Sequence, residues 1–176
     1  MTMGLDRLRS QLTVIPQDPV MFSGSIRFNL DPFHKNSDGE IWEALDRAQL
    51  KKDVLEKFPN KLNHVITENG DNLSVGQKQL MCIARALLRK SKIIVLDEAT
   101  ASIDSVTDQM LQKTVRTEFH NCTVLTIAHR IDTVLDYDRI LVLDNGQVAE
   151  YDTPGSLLER KNGLFKLLVD KLHCPV

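Results

Sequence analysis

The most constraining feature of the sequence is a short apolar run that ends in two carboxylates. Residues 92–96 read KIIVL, and Asp97 and Glu98 follow directly. A continuous run with β-branched residues predicts a strand buried on both faces of a parallel sheet. Because α/β proteins bind ligands at the carboxyl edge of such sheets, the two carboxylates are expected at a binding edge. Asp97 would suit Mg²⁺, and Glu98 would suit orienting or deprotonating a water molecule. A strand end with a capping aspartate and a solvated glutamate is the alternative.

Further strand and helix patterns surround this run. Residues 11–16 (QLTVIP) predict a short strand, and residues 123–128 (TVLTIA) predict a second buried strand. Residues 24–72 have a helical and polar pattern. From residue 73 onward helices and strands alternate, which is typical of an α/β fold with a parallel sheet.

Local signals place the other elements of the second half. Helices are predicted to begin at Ser74, at Ser105 and at Thr153-Pro154, where proline takes the first helical position. The last helix is predicted at about residues 163–172. The Asn145-Gly146 pair predicts the tight turn of a hairpin.

Residues 73–77 (LSVGQ) have two interpretations. The simpler one is a helix start, with Ser74 as the cap and Gln77 closing a capping box. The other uses the same geometry for binding, because free N–H groups at a helix N-terminus attract a phosphate and Gly76 lets it approach closely. Three other residues carry no functional signal when each is taken alone. Gln17 is typical of a turn, Asp104 of a helix cap and His129 of a histidine at a strand end.

The order of these groups resembles the nucleotide-binding domain of an ATP-binding-cassette (ABC) transporter. Gln17 resembles the Q-loop, residues 73–77 the signature motif and residues 93–100 (IIVLDEAT) the Walker B strand. Asp104 resembles the D-loop aspartate, and His129 resembles the switch histidine. The similarity covers essentially the whole chain.

Other stretches narrow the resemblance to the second nucleotide-binding domain of the multidrug-resistance-associated (C) subfamily. They are residues 14–33 (VIPQDPVMFSGSIRFNLDPF), 121–130 (NCTVLTIAHR) and 150–154 (EYDTP). Valine in LSVGQ and glutamate at position 98 fit that domain. The resemblance implies a P-loop NTPase (RecA-like) α/β fold with an inserted helical subdomain. It divides the chain into a Q-loop segment (1–23), the helical subdomain (24–73) and the remainder (74–176).

The resemblance also implies roles around Mg²⁺ and ATP. Asp97 would hold Mg²⁺, Gln17 would sense Mg²⁺ and the γ-phosphate, and Glu98 would polarise the attacking water. His129 would contact the γ-phosphate. These groups would serve ATP on the chain's own domain.

Across a head-to-tail dimer, the signature would serve ATP bound to the other nucleotide-binding domain. Ser74, Val75, Gly76 and Gln77 form that signature surface, and Asp104 would couple the two sites. The region around Gln17 and the helical subdomain would meet the transmembrane domains, which places the chain at the cytosolic face of a membrane.

One family motif is absent from the sequence. None of the eight glycines begins a GxxxxGK[ST] phosphate-binding loop. The chain therefore resembles a nucleotide-binding domain truncated at its N-terminus, and without this loop we expect no useful ATP hydrolysis. We also expect Ile93 to Leu96 to lack a strand neighbour.

Two alternatives remain. The chain could be a binding or regulatory module that lends its signature to a partner domain without hydrolysing ATP. A DNA-maintenance ATPase of the same class is disfavoured because residues 18–73 are too few for its coiled coil.

Basic residues total 22 and acidic residues 24, giving a net charge of −2, so no nucleic-acid partner is expected. Three widely spaced cysteines suit a reducing cytosol.

Overall fold

The structure is a computed structural model that describes residues 4–97, 105–128 and 134–173. The chain divides into two units, Met1–Ile127 and Ala128–Val176. In the first unit the helices are α1 (Leu5–Gln11), α2 (Ile26–Leu30), α3 (Asp38–Arg47), α4 (Lys51–Lys57), α5 (Val75–Arg89) and α6 (Ser105–Glu118). Its strands are β1 (Leu12–Ile15), β2 (Gly24–Ser25), β3 (Val65–Ile66), β4 (Ile93–Asp97) and β5 (Thr123–Ile127).

The first unit is built on a parallel sheet with strand order β1-β4-β5. Ile15 pairs with Leu96, and Leu96 pairs with Thr126. A buried hydrogen bond of 2.6 Å between the hydroxyls of Thr13 and Ser91 joins β1 to the loop before β4. The predicted α/β class and its central strand are present.

The expectation that Ile93 to Leu96 would lack a strand neighbour is wrong. Strand β4 is hydrogen-bonded to β1 on one side and to β5 on the other, in parallel register. Among the described residues, the strands with a partner on one side only are β1 and β5, at the two edges of the sheet. The open edges of the sheet therefore lie one strand away from β4, on either side.

The prediction that residues 92–96 and 123–128 are buried on both faces is also wrong. Along β4 the side chains alternate, because Ile94 and Leu96 are buried whereas Ile93 and Val95 are only half-buried. On β5, Leu125 is 54% exposed and no side chain is fully buried. The registers place the more exposed side chains on one face, which we call the open face: Leu12, Val14, Ile93, Val95, Leu125 and Ile127. Within the described residues of the first unit, this apolar face is the more exposed of the two.

The opposite face of the sheet packs into the main core. Ile15, Ile94 and Leu96 belong to one hydrophobic cluster. Helix α5 contributes Leu80, Ile83, Ala84 and Leu87, and α6 contributes Leu111 and Val115 to the same cluster. These are apolar side chains at helical spacing, so burial of one helix stripe accounts for both helices.

Residues 24–72 are largely helical, as predicted, with two local departures. Helix α3 ends at Arg47 and α4 begins at Lys51, because Gln49 adopts a left-handed backbone (φ 60°) between them. Strands β2 and β3 form a short antiparallel pair in which Gly24 lies opposite Ile66. Two short 3-10 helices, Lys61–Asn63 and Glu68–Gly70, complete the segment.

The second unit carries a hairpin and two helices. They are β6 (Ile140–Asp144), β7 (Gln147–Asp152), α7 (Pro154–Glu159) and α8 (Leu164–His173). The predicted turn is present: Asn145 and Gly146 both have positive φ (47° and 77°), as a type I′ turn requires. The predicted Thr153 cap is also present, since its hydroxyl accepts from the N–H of Ser156 at 3.3 Å. A small core forms around Val142, Leu157, Phe165 and Val169.

A buried carboxylate joins the hairpin to the last helix. Glu150 is 8% exposed, and its Oε2 accepts a hydrogen bond of 2.8 Å from the N–H of Phe165 near the start of α8. Arg160 pairs with its other oxygen at 3.6 Å. Within the described ranges, no helix is both long and apolar enough to cross a bilayer.

Two isoleucines of β4 test the difference between the faces. Ile94→Ala should lower the free energy of unfolding by about 2–5 kcal/mol, because its side chain is fully buried in the core. Ile93→Ala, the same change on the open face, should cost only about 1 kcal/mol. Urea unfolding of the two variants measures this difference. Equal losses would show that the open face is covered in solution.

Candidate functional site

The carboxyl edge of the sheet brings together two predicted residues that are far apart in sequence. Because Ile15 pairs with Leu96, the residues that follow β1 and those that end β4 lie at the same edge. Gln17 comes two positions after Ile15, and Asp97 is the last residue of β4; both are exposed. Asp97 in turn pairs with Ile127 at the end of β5.

The donors at this edge fit the ion that the sequence predicts. A carboxylate and a carboxamide oxygen are hard ligands of the kind that Mg²⁺ prefers. In the described ranges, no group of three or more His, Cys, Asp or Glu side chains could hold a metal ion. Mg²⁺ sites do not need such a cluster, because one or two carboxylates commonly act with water and substrate phosphates.

The signature residues form the beginning of α5, as predicted. The hydroxyl of Ser74 accepts a hydrogen bond from the N–H of Gln77 at 3.1 Å. In return, Oε1 of Gln77 accepts from the N–H of Ser74 at 3.0 Å, which completes the capping box. Val75 is exposed beside them. The Ser74 hydroxyl still has its own proton to donate, and the dipole of the 15-residue helix favours an anion here.

An aspartate that the sequence patterns did not single out supports the signature. The Nε2 atom of Gln77 donates to Oδ2 of Asp53, in helix α4, at 2.7 Å. Lys57 pairs with the other oxygen of Asp53 at 2.8 Å. Burial opposes ionisation of Asp53, but hydrogen bonds from Lys57 and Gln77 outweigh it and lower the pKa of this carboxyl. The contact joins residues that are 24 positions apart, so no local sequence pattern predicts it.

Gly76 has a second role that the sequence did not reveal. A Cβ atom at this position would lie 2.7 Å from Cγ2 of Thr107 in helix α6. That distance is too short for two carbon atoms, so a larger residue would require the Thr107 side chain or one of the two helices to shift. The absence of a side chain at position 76 therefore serves helix packing as well as the predicted approach of a phosphate.

The segment that follows Gln17 is held by side chains of α5. Gln79 and Arg85 donate hydrogen bonds to backbone carbonyls between Pro16 and Asn29. Burial lowers the pKa of the Arg85 guanidinium, because removal from water disfavours its charge. Neither residue was among the predicted site residues. The predicted residues Glu98, Asp104 and His129 lie outside the described residues.

The chain matches the ABC transporter family model over residues 2–101. The chain belongs to the ABC transporter family. This confirms the resemblance drawn from the motifs, and the α/β fold with its parallel sheet is that of a P-loop NTPase. The chain therefore has the fold of an ABC transporter nucleotide-binding domain.

Curated relatives and a solved structure agree with this assignment. The chain is 58% identical to ABC transporter C family member 5 of Arabidopsis thaliana over 94% of its length, which covers 11% of that protein. It is 55% identical to multidrug resistance protein mrp-7 of Caenorhabditis elegans, again over 94% of the chain and 11% of the relative. These similarities confirm the predicted resemblance to the multidrug-resistance-associated subfamily.

A solved bacterial Atm1-family ABC exporter with ATP bound has the same fold. Its TM-score is 0.87 with 33% sequence identity, and the match covers 97% of this chain and 30% of that chain. The chain thus spans about a tenth of the length of the two curated relatives. It spans less than a third of the solved exporter chain.

Gly76→Ala tests the packing of α5 against α6. The added methyl group should lower the free energy of unfolding by about 1–3 kcal/mol, because it meets Thr107. Gly76→Ala combined with Thr107→Ala should recover most of this loss in denaturant unfolding.

The matched control is Gly39→Ala, near the start of α3. The nearest atom to a Cβ there is 3.9 Å away, an ordinary contact, so this change should be neutral or slightly stabilising. A loss at position 76 that persists in full when Thr107 is shortened would contradict the packing role.

Proposed function

We propose that the chain is part of the ATP-binding and ATP-hydrolysing domain of an ABC exporter that transports organic anions or conjugates. The observation that carries the proposal is the carboxyl edge at which Gln17 and Asp97 lie together, in a member of this family. That edge is where parallel α/β sheets bind their ligands. One relative is named a multidrug resistance protein, and the organic-anion class is what the subfamily resemblance implies.

On this domain's own ATP, four side chains would divide the work. Asp97 would hold Mg²⁺, and Gln17 would contact Mg²⁺ and the γ-phosphate. Glu98 would polarise the attacking water, and His129 would help to fix it. Bound Mg²⁺ would neutralise charge on the phosphate oxygens. Phosphoryl transfer needs mainly such positioning and charge stabilisation, so polar groups gathered at one edge suit the reaction.

The signature would act on ATP bound to the other nucleotide-binding domain of the transporter. Ser74 can donate its hydroxyl proton, and the backbone N–H groups at the start of α5 favour an anion. Asp53 would keep the Gln77 side chain in place behind this surface. Asp104 would couple the two composite sites across the head-to-tail dimer.

The transmembrane domains would contact the segment after Gln17. Val20 and Phe22 are 57% and 59% exposed, and Phe28 is 40% exposed on the following helix. Exposed apolar side chains close together in the chain are typical of interaction surfaces. This contact would place residues 24–73, as the helical subdomain, at the cytosolic face of the membrane. Residues 1–23 and 74–176 would form the core segments on either side.

A second candidate rests on a different observation. The 176 residues contain no GxxxxGK[ST] loop, whose backbone and lysine cradle the phosphates in P-loop proteins. A chain without it could lend its signature to a partner domain, or regulate it, without hydrolysing ATP itself.

Glu98→Gln tests the proposed hydrolytic role. The host is a chimaera of the Arabidopsis C family member 5 in which this chain replaces the aligned segment. The Glu98→Gln substitution should lower the ATPase turnover of this site by about 10²-fold or more, because the attacking water loses its base. Glu118→Gln is the matched control: Glu118 forms a partly exposed ion pair with Arg47 at 2.6 Å, whose loss costs little. Equal turnover in both variants would refute the role.

ATP hydrolysis by the chain alone tests whether the isolated chain is inactive, as both candidates predict. The purified chain should show no Mg-ATPase activity, because it lacks the β/γ-phosphate cradle. Addition of a P-loop-containing partner domain should restore hydrolysis at one composite site if the chain can act as a signature donor. Turnover by the chain alone that disappears in Glu98→Gln would contradict this expectation.

A further inference from the structure

A buried glutamine in the signature helix binds the backbone at Gln17. Gln79, in α5, is 1% exposed. Its Nε2 atom donates to the carbonyl oxygen of Gln17 at 2.9 Å and to that of Pro16 at 3.2 Å. One carboxamide therefore uses both of its N–H groups on two successive peptide units at the end of β1.

The other half of the same carboxamide has no partner. Oε1 of Gln79 is buried and accepts no hydrogen bond from any of the described residues. Rotating the amide would not help, because Oε1 would then face the two carbonyl oxygens. A buried acceptor without a donor is unfavourable, and an apolar side chain of similar size would avoid it. An apolar residue would, however, leave the carbonyl groups of Pro16 and Gln17 without these donors, so the glutamine holds this backbone while one of its own atoms stays unpaired.

A second side chain of α5 holds the far end of the same segment. Nε of Arg85 donates to the carbonyl oxygen of Asn29 at 2.7 Å, and Nη1 donates to that of Val20 at 2.7 Å. Nη2 donates to Oδ1 of Asn29 at 2.8 Å. Asn29 in turn donates to the carbonyl oxygen of Phe22 at 2.8 Å. The segment from Pro16 to Asn29 is thus fastened to α5 near both of its ends.

We propose that Gln79 is a positioning residue for Gln17, setting from the signature helix the point at which the Gln17 side chain meets Mg²⁺ and the γ-phosphate. The inference rests on the proposed role of Gln17. Gln79 does not touch the ligand; it acts through the backbone of residues 16 and 17. Helix α5 also begins at the signature. A single helix therefore positions both the signature, which would act at one ATP site of the dimer, and the Q-loop, which would act at the other.

The test uses the chimaera described above with Gln79→Met, which keeps the length of the side chain but removes the N–H donors. Gln79→Leu is a second variant in case the first folds poorly. Gln112→Leu, on the half-buried side of α6, is the matched glutamine control. Two quantities are measured: hydrogen exchange of residues 12–20 without nucleotide, and the free Mg²⁺ concentration that half-saturates ATP hydrolysis.

Both Gln79 variants should exchange faster over residues 12–20, with α5 itself unchanged. The half-saturating Mg²⁺ concentration should rise about tenfold, the loss typical when an outer partner of a metal site is removed. A lower fraction of folded protein would not move this concentration. The control should match the wild type in both measurements.

Combination with Gln17→Ala shows whether Gln79 acts through Gln17. In that background the Gln79 variants should raise the Mg²⁺ requirement no further. Unchanged exchange, or a full additional rise in the Gln17→Ala background, would overturn the inference. If the unmodified chimaera is inactive, or Gln17→Ala leaves the Mg²⁺ requirement unchanged, the proposed function fails instead. Exchange of residues 12–20 then still decides whether Gln79 holds the backbone.

Discussion

The parallel register between β1 and β4 determines where the proposed ATP site can be. It pairs Ile15 with Leu96, so the chain leaves both strands at one edge, where Gln17 follows β1 and Asp97 ends β4. A shift of β1 by one residue would turn its buried side chains, Thr13 and Ile15, to the opposite face. The buried hydroxyl pair of Thr13 and Ser91 and the apolar contacts of Ile94 oppose such a shift.

Helix α5 is the second part on which the site depends. Its start is fixed locally by the Ser74–Gln77 capping box and from a distance by Asp53. Its apolar side chains contribute to the same core as the buried face of the sheet. Polar side chains of the same helix reach the segment after β1. The proposed signature and the proposed Q-loop are therefore linked by direct contacts within the described chain.

Local patterns in the sequence predicted much of this arrangement. The capping box needs only Ser74 and Gln77, three residues apart, and the hairpin needs only Asn145 and Gly146. The apolar run before Asp97 predicted the central strand. In each case neighbouring residues supply the deciding interaction, so no knowledge of the fold was needed.

Most of the features that sequence reasoning missed depend on distant contacts. An apolar run cannot tell whether both faces of its strand are covered, so the open face at Ile93 and Leu125 was predicted to be buried. The break at Gln49 depends on a single left-handed residue. The partners of Gln77, Gln79 and Gly76 lie in other elements. Glu98, Asp104 and His129 remain predictions of the motif order.

Gly76 carries two requirements in the same small volume. Helix α6 needs the space for the Thr107 methyl group, and the proposed phosphate needs free access to the start of α5. A mutation that fills this space is expected to cost least when position 107 becomes smaller at the same time. Amino-acid variation at these two positions among related chains should consequently be correlated, because the size of one residue limits the size of the other.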